Sequence, residues 1–163
     1  MAETQGATER IEHAVRVEAP PEAVFEYFTD PAKLVRWMGS AATLDPRPGG
    51  VCRFDINGVN MSGEYVQVDF PWRIVFTWGF EPTVFETARQ SSAVEVSFTA
   101  DGEGTIVRLT HSRLADGAVA FHRAGWDNYL PRLAVAVTGR DPGADPWRDF
   151  TVFARAVQAA GER

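Results

Sequence analysis

Histidine is the side chain of this sequence best suited to proton transfer near neutral pH, and the chain has three, His13, His111 and His122. An imidazole titrates in the range in which a general base works. A single histidine on an inward face is nevertheless more often a hydrogen-bonded structural residue than a base or a metal ligand. No catalytic partner accompanies His111 or His122 in the sequence, so we favour the structural interpretation for both.

Other kinds of chemistry have weaker support. His111, His122 and a carboxylate such as Glu64 offer metal-binding atoms, but their spacing matches no metal motif. Cys52 would need an activating base to act as a nucleophile, whereas it suits a buried apolar site as it stands. The chain also lacks a glycine-rich phosphate loop and a nucleophile-elbow motif. We therefore predict no catalytic residue, no metal and no cofactor.

Strand patterns dominate the middle of the chain. Ile11 to Glu18 alternates as a first strand, and about six antiparallel strands follow from Ala42, joined by short turns such as Asn57-Gly58. The last of them, Thr105 to Ser112, puts His111 on its inner face. The clearest strand pattern runs from Trp72 to Phe80. One face of this strand is expected to carry Trp72, Ile74, Phe76, Trp78 and Phe80.

Helical spacing marks the segments that flank these strands. Two short helices, Glu22 to Phe28 and Ala32 to Met38, are expected on either side of a proline-bearing corner. A long helix follows Asp116, which is expected to cap it, and ends near Gly139. Pro131 inside this helix should kink its axis. Its predicted inward face consists of Val119, His122, Trp126, Tyr129, Leu133 and Val137.

These patterns predict an α+β fold, a curved antiparallel sheet wrapped around a long C-terminal helix, with two short helices after the first strand. Residues 1–10 are expected to form a flexible N-terminus and residues 11–139 a single domain. The loop from Glu81 to Ser91 is long enough to cover an opening. Residues 140–163 are predicted to be a linker and a short amphipathic helix from Trp147 to Ala160. That helix packs back on the domain, meets a second copy in a homodimer or stays weakly ordered, and we favour packing back.

Composition excludes several classes of partner. The 163 residues carry a net charge of −6 and no basic block, which argues against nucleic acid. No apolar window is long enough to predict membrane insertion, and the first residues do not resemble a secretory signal. Cys52 is the one cysteine, so no disulfide forms within the chain. We expect a cytoplasmic protein.

Several short motifs, taken in order, resemble a known superfamily. The chain resembles the helix-grip (SRPBCC) superfamily, which includes the birch-pollen allergen, polyketide cyclases and the START lipid-transfer domains. Within it, the chain is most similar to the short bacterial branch named for the activator of the ninety-kilodalton heat-shock-protein ATPase. The motifs are Pro21-Glu22-Ala23-Val24-Phe25, Thr29-Asp30-Pro31, Leu34, Trp37, Arg47-Pro48-Gly49-Gly50, Gly63, Pro71, Val75-Phe76-Thr77-Trp78, Gly104-Thr105, Leu109-Thr110-His111, Gly125-Trp126 and Leu133. This resemblance runs from about Glu9 to Gly139 and implies a cavity between the sheet and the long helix.

The resemblance implies a non-enzymatic protein that binds a small hydrophobic or aromatic molecule in that cavity. One alternative is a chaperone-associated or stress-response factor that acts through its surface. Another is an enzyme of the cyclase or hydrolase type with His111 or His122 as general base. Core packing beneath the helix is the competing role for every candidate residue. The candidate ligand-binding residues are Trp37, Phe54, Trp78, Val96, Phe98, Leu109, His111, His122, Trp126, Tyr129 and Leu133.

Overall fold

The computed structural model of the protein describes residues 9–84 and 86–148. Apart from its last two residues, the predicted flexible N-terminus lies outside this part, as does the predicted tail helix beyond Arg148. The strands are β1 (Glu9–Val17), β2 (Ala41–Leu44), β3 (Val51–Ile56), β4 (Val59–Asp69), β5 (Arg73–Trp78), β6 (Ser92–Asp101) and β7 (Gly104–Leu114). The helices are α1 (Pro21–Phe25), α2 (Pro31–Leu34) and α3 (Val119–Ala136), with 3-10 turns at Glu26–Phe28, Asp116–Ala118 and Pro146–Arg148.

The seven described strands form one antiparallel sheet in the order β1-β7-β6-β5-β4-β3-β2. Strands β2 to β7 follow one another as a meander, and β1 then pairs with β7 at the far edge. Asn57 and Gly58 link β3 to β4 as a two-residue turn, with φ angles of 54° and 88°. Positive φ at both positions is what a tight type I′ hairpin requires. The sheet and its long helix confirm the predicted α+β helix-grip fold.

Helix α3 lies across the concave face of the sheet and covers its apolar side chains. Buried and more exposed residues alternate along β5, β6 and β7, so one face of each strand points toward the helix. The predicted inward face of α3 is buried except at Val137, which is half-buried. Phe121, Leu130 and Ala136 extend this face. No helix in the described part is both long enough and apolar enough to cross a lipid bilayer.

The short helices close one end of the sheet. Phe25 and Phe28 place their rings 5.4 and 5.5 Å from the ring of Phe98 on β6. Asp30 precedes α2, and its Oδ1 accepts a hydrogen bond of 3.0 Å from the backbone N–H of Ala32. This bond satisfies one of the amide donors that the start of a helix leaves without an intrahelical partner.

Two local expectations were wrong. Asp116 makes no side-chain cap, because the chain first forms a 3-10 turn and α3 begins only at Val119. Trp72 does not share the inner face of β5. Its backbone N–H closes a turn on the carbonyl of Asp69, the strand starts one residue later, and the indole is 54% exposed.

Pro131 lies within α3, and the helix continues past it to Ala136.

The two aspartates provide a matched stability test. We expect Asp30→Ala to lower the free energy of unfolding by about 1 kcal/mol, because it leaves a helix-terminal amide without its side-chain acceptor. Asp116→Ala removes an exposed carboxylate without a cap bond, so the change should stay within about 0.5 kcal/mol. Urea denaturation of both variants measures this difference. Equal losses would show that the Asp30 cap does not stabilise the fold.

Candidate functional site

An apolar pocket lies between the first half of α3, the β3–β4 hairpin and the end of β5. Its volume is about 40 Å³. One water molecule needs about 10–15 Å³, so there is room for only a few waters, far less than the roughly 300–1,000 Å³ of a typical ligand pocket. The described lining consists of Met38, Ile56, Val59, Trp78, Phe80, Phe121, His122, Gly125, Trp126, Tyr129 and Trp147.

Trp78 on β5 forms the floor of this pocket and is the centre of an aromatic cluster that reaches from it into the core. Its ring centroid lies 5.3 Å from that of Trp126 and 5.4 Å from that of His111. Phe54 and Phe80 follow at 5.8 and 5.9 Å, both nearly perpendicular to the indole. Edge-to-face contacts at these distances are favourable for aromatic rings. The floor is therefore a packed unit with little freedom to rearrange.

His122 on α3 is bonded at both ring nitrogens. The indole N–H of Trp78 donates to its Nε2 across 3.1 Å. Because an indole nitrogen only donates, Nε2 must carry the lone pair and the ring proton must be on Nδ1. Nδ1 then donates to the carbonyl of Ala118 at 2.8 Å. The neutral imidazole has a partner for each of its polar atoms.

His111 on β7 has the opposite tautomer for the same reason. Trp126 on α3 donates its indole N–H to Nδ1 of His111 at 3.0 Å, which places the ring proton on Nε2. Nε2 donates to the hydroxyl of Ser92 at 2.9 Å, and this hydroxyl donates to the carbonyl of Trp78, also at 2.9 Å. A continuous hydrogen-bonded chain thus joins α3 to β7, β6 and β5.

Burial keeps both imidazoles uncharged. It lowers the pKa of His122 to about 4, against the hydrogen bond to Ala118, which acts in the opposite direction. Burial, followed by the neighbouring His122, holds the pKa of His111 well below its ordinary value. The basic nitrogen of each ring also accepts an indole N–H. Neither ring can take a proton from a substrate without breaking that bond, so the geometry supports a structural role for both.

Tyr129 connects the pocket to a polar cluster beside it. Its hydroxyl donates to Oδ2 of Asp145 at 2.6 Å and accepts a bond of 3.2 Å from the side-chain amide of Asn57. Burial, and then the hydrogen bond to Asp145, raises the pKa of the Tyr129 phenol, so it remains a proton donor. This cluster joins the β3–β4 hairpin, α3 and the segment that follows α3.

The structure separates the predicted ligand-binding residues into two groups. Trp78, His122, Trp126 and Tyr129 come together in the pocket lining. The remaining candidates are buried in the core but do not line the pocket; they are Trp37, Phe54, Val96, Phe98, Leu109, His111 and Leu133. Trp37, for example, donates its indole N–H to the carbonyl of Tyr27 at 2.9 Å, away from the pocket.

Several lining residues were absent from the prediction. Phe121 and Gly125 lie eight and four residues before the predicted Tyr129 on α3, and this spacing was a readable signal that they share its helix face. Trp147 had no such signal, because its place depends on the path of the chain after α3. Its ring centroid lies 5.5 Å from that of Phe121 and 6.2 Å from that of Tyr129.

Neither metal-binding nor thiol chemistry has a suitable arrangement in the described residues. Among them, no group of three histidine, cysteine or carboxylate side chains is placed to hold a metal ion. Cys52 is buried, and burial raises the pKa of its thiol to about 12. The thiol therefore stays protonated at neutral pH, which is the poorly nucleophilic form.

The comparison with protein families identifies the chain. Residues 18–138 match the model of the Activator of Hsp90 ATPase homolog 1-like protein. The chain belongs to this family. The match confirms the resemblance predicted from the sequence motifs and ends before the segment that carries Asp145 and Trp147.

Solved structures share the fold of this family member. An AHSA1-like protein from Rhizobium etli is 37% identical, with a TM-score of 0.69 over 86% of this chain and 88% of that chain. An Hsp90 activator from Plasmodium falciparum is 28% identical, with a TM-score of 0.67 over 79% and 96% of the two chains. DynU16, from the dynemicin biosynthetic locus, is 26% identical, with a TM-score of 0.70 over 83% of this chain. The chain spans only 50% of the length of DynU16. No curated protein matches the chain.

The neutral histidines predict how stability changes with pH. Unfolded histidines take up a proton near pH 6.5, whereas the folded rings resist it, so stability is fully present above pH 6.5 and decreases as the pH falls toward 4. Between pH 7 and 5.5, we expect the free energy of unfolding to fall by roughly 2 kcal/mol for His111 and His122 together, measured by urea denaturation.

NMR of the imidazole nitrogens at pH 5.5 provides the control for this prediction. It should show neutral rings, protonated on Nε2 in His111 and on Nδ1 in His122. Charged rings, or a stability that does not change between the two pH values, would contradict the assignment.

Proposed function

We propose that this protein binds a small apolar molecule, aromatic rather than aliphatic, in the pocket between α3 and the end of the sheet. The observation that carries the proposal is that the described pocket lining exposes only apolar surface. The polar atoms of Trp78, His122 and Trp126 are all bonded to one another or to their neighbours. A guest that contacts these three residues would therefore bury apolar area without leaving their polar atoms unpaired.

The rigid floor supports this role. Trp78 is fixed by ring contacts and by its bond to His122, so a guest would not have to order it. Pre-ordered side chains reduce the entropic cost of binding. Each Å² of apolar surface that leaves water contributes about 25 cal/mol, so a ring system that covers the floor has enough area for measurable affinity. The role is binding without catalysis, since neither histidine has a free basic nitrogen in this geometry.

Thermal-shift assays and native mass spectrometry test this proposal. The probes are indole and naphthalene as uncharged aromatics and decanoate as an anionic chain. We expect the aromatic probes to raise the melting temperature and to appear as one-to-one complexes. A panel in which none of the probes stabilises the protein or forms a complex would overturn the binding function.

Gly125 provides a more local test. A Cβ added there would meet the indole of Trp147 at 3.8 Å, an ordinary contact, so alanine fits without a clash. We expect Gly125→Ala to raise the free energy of unfolding by about 0.5–1 kcal/mol, because glycine is a poor helix former. The same methyl group occupies pocket volume and should weaken naphthalene binding several-fold in calorimetry. Unchanged affinity in a stabilised variant would show that the guest does not bind near Gly125.

A second candidate function is that of a chaperone-associated factor in a stress response. Val66, Phe70 and Trp72, on and beside the β4–β5 hairpin, are 53%, 59% and 54% exposed. Large apolar side chains that are left exposed in one hairpin region favour a protein contact. The family and the similarity to the Plasmodium falciparum Hsp90 activator suggest an Hsp90-type chaperone as that contact. Either function suits the cytoplasm, where the single cysteine, Cys52, would remain a thiol.

Pull-down with the Hsp90-type chaperone of the same organism, followed by its ATPase assay, tests this candidate. We expect the Phe70→Ser/Trp72→Ser double variant to lose binding and stimulation, while Gly125→Ala keeps both. If the wild-type protein neither binds the chaperone nor changes its ATPase rate, the candidate is wrong.

A further inference from the structure

The carboxylate of Asp145 ties the segment that follows α3 to residues beside the pocket. Asp145 accepts hydrogen bonds at Oδ1 from the side-chain amide of Asn128, at 3.1 Å, and from the backbone N–H of Trp147, at 2.8 Å. Its Oδ2 accepts the Tyr129 hydroxyl. Arg132 adds longer bonds of 3.3 and 3.4 Å from Nη1 to the carbonyls of Ala144 and Pro142. The contacts made by Asp145, termed the Asp145 latch below, hold the backbone of Trp147 beside the pocket.

The indole of Trp147 covers part of the pocket as an aromatic guest would. It packs against Phe121 and Tyr129 and lies over Gly125, where the helix has no side chain. The pocket volume of about 40 Å³ is what remains with this indole in place. No ring system fits into that space, so binding of an aromatic guest requires the indole to move.

We propose that Trp147 is a built-in competitor for the pocket, and that the ligand is a planar, uncharged aromatic molecule that binds by displacing it. This inference rests on the proposed binding function and adds to it the ligand class and the way the ligand enters. The position that the ligand takes over is now held by a flat bicyclic ring. The wall around that position offers apolar surface and no cationic side chain among the described lining residues, so a carboxylate would be buried there without a partner.

Displacement of the latch also frees one hydrogen-bond donor of the pocket lining. Tyr129 is the lining residue whose hydrogen-bond acceptor, Asp145, belongs to the segment that moves. When this segment leaves, the phenol keeps its partner Asn57 and can donate its proton to an oxygen or nitrogen acceptor on the guest. A planar aromatic with one acceptor atom at its edge therefore satisfies the opened site better than a pure hydrocarbon.

The competition has a measurable consequence. If the indole occupies the site most of the time, the apparent affinity of a guest is reduced by the fraction of molecules in which the site is free. Removing the indole should therefore increase the affinity by about tenfold or more. Trp147 is only partly buried, so its removal leaves the core intact. The exposed Trp72 provides a matched control, since it lies at a hairpin away from the pocket.

The test compares naphthalene, 2-acetylnaphthalene and decanoate binding to the wild-type protein, Trp147→Ala, Asp145→Ala and Trp72→Ala by calorimetry. We expect both aromatic probes to bind Trp147→Ala about tenfold more tightly than the wild-type protein. Their affinity for Asp145→Ala should lie between those for the wild-type protein and Trp147→Ala, and their affinity for Trp72→Ala should equal that for the wild-type protein. The probe with a carbonyl should bind more tightly than naphthalene in Trp147→Ala, and this advantage should disappear in Trp147→Ala/Tyr129→Phe. Decanoate should bind weakly to all of them.

Fluorine NMR of protein labelled with 5-fluorotryptophan reports on the indole directly. The chain has five tryptophans, and the signal missing from Trp147→Ala identifies Trp147. Naphthalene should move that signal toward its position in the Asp145→Ala variant and leave the Trp72 signal in place. Equal or weaker binding to Trp147→Ala, with a stationary Trp147 signal, would overturn the competitor role and leave the binding function standing. Preference for decanoate would overturn the ligand class, and absence of binding to every variant would overturn the binding function as well.

Discussion

Two indole-to-imidazole hydrogen bonds hold the long helix in its position on the sheet. In one, Trp126 of α3 donates to His111 of β7; in the other, Trp78 of β5 donates to His122 of α3. The helix and the sheet thus each supply one donor and one acceptor. Rotating or sliding α3 would break both bonds at once. Each buried donor or acceptor left without a partner costs about 1–3 kcal/mol, so such a movement is unfavourable. Apolar packing alone would tolerate small shifts of the helix far better.

This reciprocal pairing determines the polarity of the pocket wall. The polar atoms that would otherwise face the space beneath α3 are bonded inside the wall, and what remains is apolar surface. The same burial that lowers the pKa of His111 and His122 removes them as bases. His111 and His122 are therefore better understood as structural residues than as general bases.

Membership in the family explains the fold but not the occupancy of the pocket. The matched residues end at 138, whereas Asp145 and Trp147 lie beyond them. Function depends on the site that each chain builds on a shared fold. Here the segment that follows α3 and carries Asp145 and Trp147 forms part of the site. The small pocket volume reflects where this segment lies as much as the fold itself.

The sequence by itself determined the element order, the faces of the strands and the inward face of α3, because alternation and helical spacing record which side chains must leave water. The Asn57-Gly58 turn was readable for the same local reason, since its backbone angles suit these residue types. The partners of the histidines were not readable, because Trp78 and His122 meet only when the sheet closes on the helix. Helix and strand ends were misjudged at Asp116 and Trp72, where neighbouring turns overrode the local pattern. Tertiary structure alone decided the volume of the pocket and the position of Trp147, since both depend on contacts between segments far apart in the chain.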